Sequence, residues 1–291
     1  MTLRGPVLVG TDLSPAADEA LRQGARLARE LAGRLLVCHI VPEVIPDGSV
    51  FTEFRRANLD IQGSVLARAR AAVQQRVDIV LGTDHPTVDI ILESGTPHVG
   101  LLRQAEETKA GVIVAGPGST ALDVVRHAST PVLIARHSPR GPVVGTTDFS
   151  DRSLPALRAA AAEARRRGSD LHLLHAFDVG LFMLGRAPAA AMPYLADSSS
   201  IALEGLDQIR TLAKQRLDAT LREHDLPGTT TVIAGSAEDV IVQYAESVEA
   251  ELVVVGTQGR SGLARLTLGS TAASVIESAP CAVLVVRLSV G

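Results

Sequence analysis

The chain contains the same pattern twice. "PVLVGTDLS" at Pro6–Ser14 recurs as "PVVGTTDFS" at Pro142–Ser150, pairing Asp12 with Asp148 and Ser14 with Ser150 at a shift of 136. The same shift lays "LLVCHIV" on "LHLLHAF" and His39 on His175. Gly95 then meets Gly235, and Gly116 meets Gly256, at a shift of 140. From Gly118 to Arg136, against Gly269 to Arg287, nine of 19 positions are identical without a gap, at a shift of 151. Landmarks that keep their order along the whole chain mark a duplication, and each copy is one folding unit. The halves are read as 1–138 and 139–291. They differ in length at one telling place. Pro117 alone separates Gly116 from Gly118, whereas twelve residues, 257–268, separate Gly256 from Gly269.

Each half alternates strand and helix. Aromatics are only 2% of the 291 residues and Trp is absent, so the core is built from Val, Leu, Ile and Ala. Runs such as "GVIVAG", "ELVVVG" and "CAVLVVR" fit parallel strands buried on both faces. In the second half strands are predicted at 142–147, 171–176, 229–234, 251–256 and 282–287, with helices near 153–167, 201–225, 237–249 and 270–278. In the first half Ser14 is a predicted N-cap, with Pro15 at the first helical position, and Gly33 marks the helix end. The three arginines before Gly168 read as a solvated helix end that complements the dipole. Alternating elements imply a parallel sheet with helices on both faces. Ligands on such sheets bind beyond the carboxyl ends of the strands, where the winding reverses. "TTD" after the first strand, the residues after His175 and the loop after Gly256 reach that edge.

Bulk properties exclude several classes. The formal charge of -4 is unlike the basic footprint of a nucleic-acid binder. Cys38 and Cys281 sit in apolar runs and read as small core residues. The N-terminus turns polar too soon for a signal peptide, and no apolar run nears the ~18 residues that span a bilayer. A soluble cytoplasmic protein is expected. His39 and His175 read as hydrogen-bonded core histidines. His85, His98, His127 and His137 lack metal-ligand spacing.

Gly256, Gly259, Gly269 and Ser270 form G-x2-G-x9-G-[ST] after a Val-rich strand. With the Asp that ends the first strand, the His of the second and the closing "APCAVLVVR", this pattern resembles the ATP-binding signature of universal stress proteins. Both halves carry the likeness, so the chain resembles tandem members. The resemblance implies two open-twisted five-stranded parallel sheets of order 3-2-1-4-5. It also implies helices on both faces, as in Rossmann-like and adenine nucleotide alpha hydrolase-like folds, and a pseudo-two-fold tandem. It further implies ATP, with Mg2+, in the second half. Thr147 and Asp148 would meet the nucleoside, and Ala176 would offer backbone groups to the adenine. Gly256, Gly259, Arg260, Gly269, Ser270 and Thr271 would surround the phosphates.

The residue chemistry agrees with that placement. Gly259 and Gly269 lack Cβ, so main chain can approach an anion and adopt positive φ. Ser270 opens a helix, where unpaired N–H groups favour negative charge. Arg260, and more remotely Arg265, would add charge. No G-K-[ST] is present, so this is not a Walker loop. Each glycine or hydroxyl alone has a plainer role, as an N-cap or a turn residue, and Asp148 equally suits capping the following turn. The first half keeps Asp12 and Gly118-Ser119-Thr120, but Pro117 replaces the loop and removes an N–H. That half is expected to bind ATP weakly or not at all and to serve as scaffold.

The expected function is a nucleotide-dependent stress-response or signalling protein. The alternatives are a slow ATP hydrolase and a nucleotide-independent partner-binding scaffold. No S-G-G-x-D-S, no H-I-G-H and no general base beside the glycine loop favours an enzyme. The apolar, Gly- and Pro-containing segments 178–195 and 42–54 are expected to make packing or oligomer contacts, and a homodimer is expected.

Overall fold

A computed structural model describes residues 3–41, 52–82, 85, 87–178, 199–257 and 268–287. The chain divides into two compact units, residues 2–137 and 138–290. Among the described residues no helix is long and apolar enough to cross a membrane.

The first unit runs β1 (Val7–Gly10), α1 (Pro15–Glu30), β2 (Leu35–Val41), α2 (Thr52–Leu81) and β3 (Val88–Ser94). It continues with α3 (Pro97–Glu107), β4 (Val112–Ala115), α4 (Ser119–His127) and β5 (Val132–Ile134). Its strands are parallel in the order β3-β2-β1-β4-β5. The second unit runs β6 (Val143–Thr146), a 3₁₀ turn at Asp151–Ser153, α5 (Leu154–Arg167) and β7 (Leu171–Phe177). After it come α6 (Ser199–Glu223), β8 (Thr229–Ala234), α7 (Ala237–Ser247), β9 (Leu252–Gly256), α8 (Ser270–Ser278) and β10 (Ala282–Val286). The order is again β8-β7-β6-β9-β10, all parallel. Helices cover both sides, so the expected α/β class and strand order hold in each unit.

The central strands carry the core. Val7, Leu8, Val9, Val112, Ile113 and Val114 have no accessible surface, and neither do Leu252, Val253 and Val254. The edge strands β3 and β8 are only half-buried along most of their length. In this order β1 lies between β2 and β4, and β6 between β7 and β9, so the winding reverses at the carboxyl ends of β1 and β6.

Local signals explain the helix ends. Ser14 Oγ accepts from Ala17 N at 3.3 Å, and Pro15 opens α1. At its other end the left-handed residue is Ala32, at φ 48°, rather than Gly33. Gly33 serves close packing instead, because a Cβ there would stand 2.8 Å from Gly5 O. Of the three arginines at the end of α5, Arg165 is exposed but the other two are not a solvated cluster. Arg167 is 4% exposed and pairs with both Glu163 and Glu251, while Arg166 also pairs with Glu163. Ser169 Oγ donates to Glu251 at 3.0 Å, completing a buried network that ties α5 to the start of β9.

Candidate functional site

The turn that follows the first strand is built alike in both units. Thr147 Oγ1 accepts from Phe149 N at 3.0 Å, and Asp148 Oδ1 accepts from Ser150 N at 3.0 Å. In the first unit Thr11 Oγ1 accepts from Leu13 N at 3.1 Å, and Asp12 Oδ1 from Ser14 N at 2.9 Å. Both turns force an ordinary side chain into the left-handed region, Leu13 at φ 66° and Phe149 at φ 64°. Such a backbone is strained and persists only where its surroundings over-determine it. Part of that surrounding is a histidine. His175 Nδ1–H donates to Thr147 O at 2.8 Å, and His39 Nδ1–H to Thr11 O at 2.8 Å. The carbonyl acceptor fixes the tautomer. Phe149 then packs on His175 in a tilted pair, ring centroids 4.1 Å apart and planes at 43°, with the Arg216 guanidinium 5.2 Å from the Phe149 ring.

Opposite this turn stands the start of α8. Its N-cap is Gly269, and no side chain caps it. Gly269 N donates to Thr257 O at 2.9 Å, so the glycine amide closes the main chain while the first-turn amides that follow remain at the helix opening. Gly269 sits at φ -65°, extended backbone that any residue adopts. The positive φ expected for it is therefore not used, because the chain enters the helix directly from an extended residue. By contrast α1 and α7 are capped by Ser14 and Ser236.

A cleft of about 160 Å³ joins these parts. It brings together Thr147, Asp148, Ala176, Gly256, Gly269, Ser270 and Thr271. Gly259 and Arg260, together with Arg265, lie outside the described residues, as do 179–195 and 42–51. Thr146, the first residue of the "TTD" expected at this edge, lines the same cleft, and the sequence reading missed Ser153, Leu174 and Ile241, which form its floor and walls. It also missed Glu238, whose carboxylate accepts from Ser270 Oγ at 3.4 Å. Ser153 has a legible counterpart in Ala17 through the repeat, but Glu238 carries no motif.

The reading also missed that the first unit keeps a cleft, and a larger one, of about 350 Å³. Every lining residue of the second cleft except Thr257 has its repeat counterpart in the first. Asp12 stands for Asp148, Gly118 for Gly269 and Ser119 for Ser270. Side-chain size differs in both directions: Ile40 and Pro97 are larger than Ala176 and Ala237, whereas four floor residues are smaller. Gly10, Ala17, Cys38 and Ala115 occupy the places of Thr146, Ser153, Leu174 and Val255. Burial pushes the Cys38 thiol up to about 12, against a small opposing pull from Arg103, so that floor is uncharged. Burial also raises the Asp12 carboxyl, but the hydrogen bonds from Ser14 outweigh it and hold the group below its usual value.

A duplicated parallel sheet with a matching cleft in each copy, bounded by a strand-end Asp and an uncapped helix start, defines a tandem α/β protein. The family model described as Universal stress protein family matches residues 4–136 and again 140–287, so the chain belongs to the universal stress protein family. The chain is similar to the universal stress protein Rv2623 of Mycobacterium tuberculosis, 30% identical over 97% of this chain and 96% of that one. It is similar also to Rv1996 of the same organism, 28% identical over 97% and 95%. A solved universal stress protein from Archaeoglobus fulgidus shares the fold at a TM-score of 0.67, 18% identical over 97% of this chain and 98% of that one.

Proposed function

We propose that the second unit binds ATP, carried with Mg2+, and that the bound nucleotide sets the state of a stress-response or signalling protein. One observation carries this reading. The uncapped start of α8 faces the cleft that also holds the strand-end Asp148 at the reversal of the sheet. Unpaired helix amides and a favourable dipole suit a polyphosphate. Thr147, Asp148 and Ala176 would hold the nucleoside, and Gly256, Gly269, Ser270 and Thr271 the phosphates, with Gly259 and Arg260 completing the loop. A magnesium ion would neutralise phosphate charge next to the Glu238 carboxylate. The half-buried edge strands β3 and β8 support a homodimer.

Calorimetric titration of the intact chain with Mg-ATP tests the reading. One site per chain is expected, and Gly269→Val should weaken binding at least tenfold, about 1.4 kcal/mol, without unfolding the protein. Unchanged affinity would point to a nucleotide-independent scaffold. Release of ADP above a protein-free control, lost in Gly269→Val, would point to a hydrolase.

A further inference from the structure

Away from both clefts, the two units treat one matched arginine differently. In the first, Arg76 of α2 grips Asp18 of α1 at two points, Nε to Oδ1 and Nη2 to Oδ2, both at 2.7 Å. A planar guanidinium and a carboxylate fit each other best in that fork. Asp89 pairs with Leu36 in the first sheet as Thr229 pairs with His172 in the second, which carries the repeat shift of 140 into this region. The same shift sets Arg216 in the place of Arg76, and fully buried Leu217 in that of fully buried Val77. At the shift of 136, however, the place of Asp18 falls to Leu154. Arg216 has kept the cation and lost its carboxylate. Its side chain makes no ion pair or hydrogen bond among the described residues, and its guanidinium stands 5.2 Å from the Phe149 ring.

Beside Arg216 lies a cavity of about 240 Å³, between the start of α5 and the last turns of α6. It shares Thr147 and Ser153 with the candidate nucleotide cleft, but neither Asp148 nor any residue of α8 lines it. Arg216, Thr220 and Glu223 follow helical spacing and turn one stripe of α6 towards it, while Asp151 borders it from the 3₁₀ turn. Asp151, Arg216 and Glu223 are exposed at the rim, and buried Leu157 lies on the inner wall beside Leu154. The Asp151 and Glu223 carboxylates, like Arg216, make no ion pair or side-chain hydrogen bond among the described residues. One cation and two carboxylates leave the lining with an excess of negative charge, His224 being neutral near pH 7. A phosphate or a simple organic acid would add to that excess. The complement is a molecule with one carboxylate and two cationic groups. Arg216 and Glu223 are also two turns apart, roughly 10 Å along the axis, which suits charges at the two ends of a chain better than charges on one carbon.

From these features we propose that this cavity is a ligand site for a free basic amino acid. The ligand carboxylate takes on Arg216 the seat that Asp18 fills in the first unit. Its cationic groups face Asp151 and Glu223, and its aliphatic stem lies along Leu154 and Leu157. Calorimetry on the intact chain with L-lysine as probe tests this, and one site per chain is expected. Norleucine, which lacks the terminal ammonium, and cadaverine, which lacks the carboxylate, should each bind at least tenfold more weakly. Arg216→Gln should weaken lysine at least tenfold and leave the circular dichroism unchanged. Leu154→Asp rebuilds the ion pair of the first unit and should block lysine to the same extent. It should also melt no lower than wild type, because a carboxylate at the first residue of α5 suits the helix dipole. Absence of lysine heat in the folded wild type would overturn the proposal. So would cadaverine binding as tightly as lysine, or lysine binding undiminished in folded Leu154→Asp. Lysine binding lost in Arg216→Gln supports the proposal whether or not the chain also takes up Mg-ATP, so the two readings stand or fall separately.

Discussion

At the scale of single residues, Asp12 and Asp148 do two jobs. Each carboxylate shapes its own turn through Oδ1 and also lines a cleft. The sequence left those roles as alternatives, and the geometry makes them compatible. The lowered pKa of Asp12 links the turn to pH. Because the folded value lies below the unfolded one, the charged form stabilises the fold above the unfolded pKa, and this gain disappears as pH falls through the folded value. Asp12→Asn should therefore lower the urea midpoint at pH 7, and the difference from wild type should begin to shrink near pH 3.8 and be lost only below the folded value. A difference that grows on acidification would refute this account. The roles of His39 and His175 were legible because an imidazole inside an apolar strand needs a partner. The partners themselves, Thr11 O and Thr147 O, lie 28 residues away and were not.

At the scale of elements, strands and helices were largely legible. The second strand of the second half, predicted at 171–176, is Leu171–Phe177, and the helix predicted at 201–225 is Ser199–Glu223. Parallel strands buried on both faces announce themselves as unbroken Val and Leu runs. The end of α5 was misread because the reading had only its local charges. Arg167 is buried by Glu251, 84 residues further on, and such a pairing has no local signature. Removing one member of a buried pair strands the other. Arg167→Met should cost about 3–5 kcal/mol in urea unfolding. Arg22, 54% exposed in its pair with Glu19, supplies the contrast. Its replacement should change stability by less than about 1 kcal/mol. Equal losses for the two variants would mean that the α5 network is not load-carrying.

At the scale of the whole molecule, duplication was the most legible feature and cleft volume the least. A cleft's depth is set by side chains that meet only after folding. Gly10, Cys38 and Ala115 belong to three different strands, and nothing in their neighbours along the chain says that they share a floor. The glycine spacing, by contrast, is contiguous and survives as text. Length differences between the halves have a pattern too. The repeat shift is constant from β1 to β2, from Gly95 to Gly116 and from Gly118 onward. It changes between β2 and β3, and again at the step from β4 into α4. That second step makes residues 257–268 an exchangeable cassette. Grafted in place of Pro117, between Gly116 and Gly118, they would join a matching strand end to a helix start whose glycine must move from φ 146° to the -65° of Gly269. The chimera should take up a second equivalent of Mg-ATP in calorimetry, whereas an unchanged stoichiometry would assign the discrimination to the floor rather than to the inserted segment.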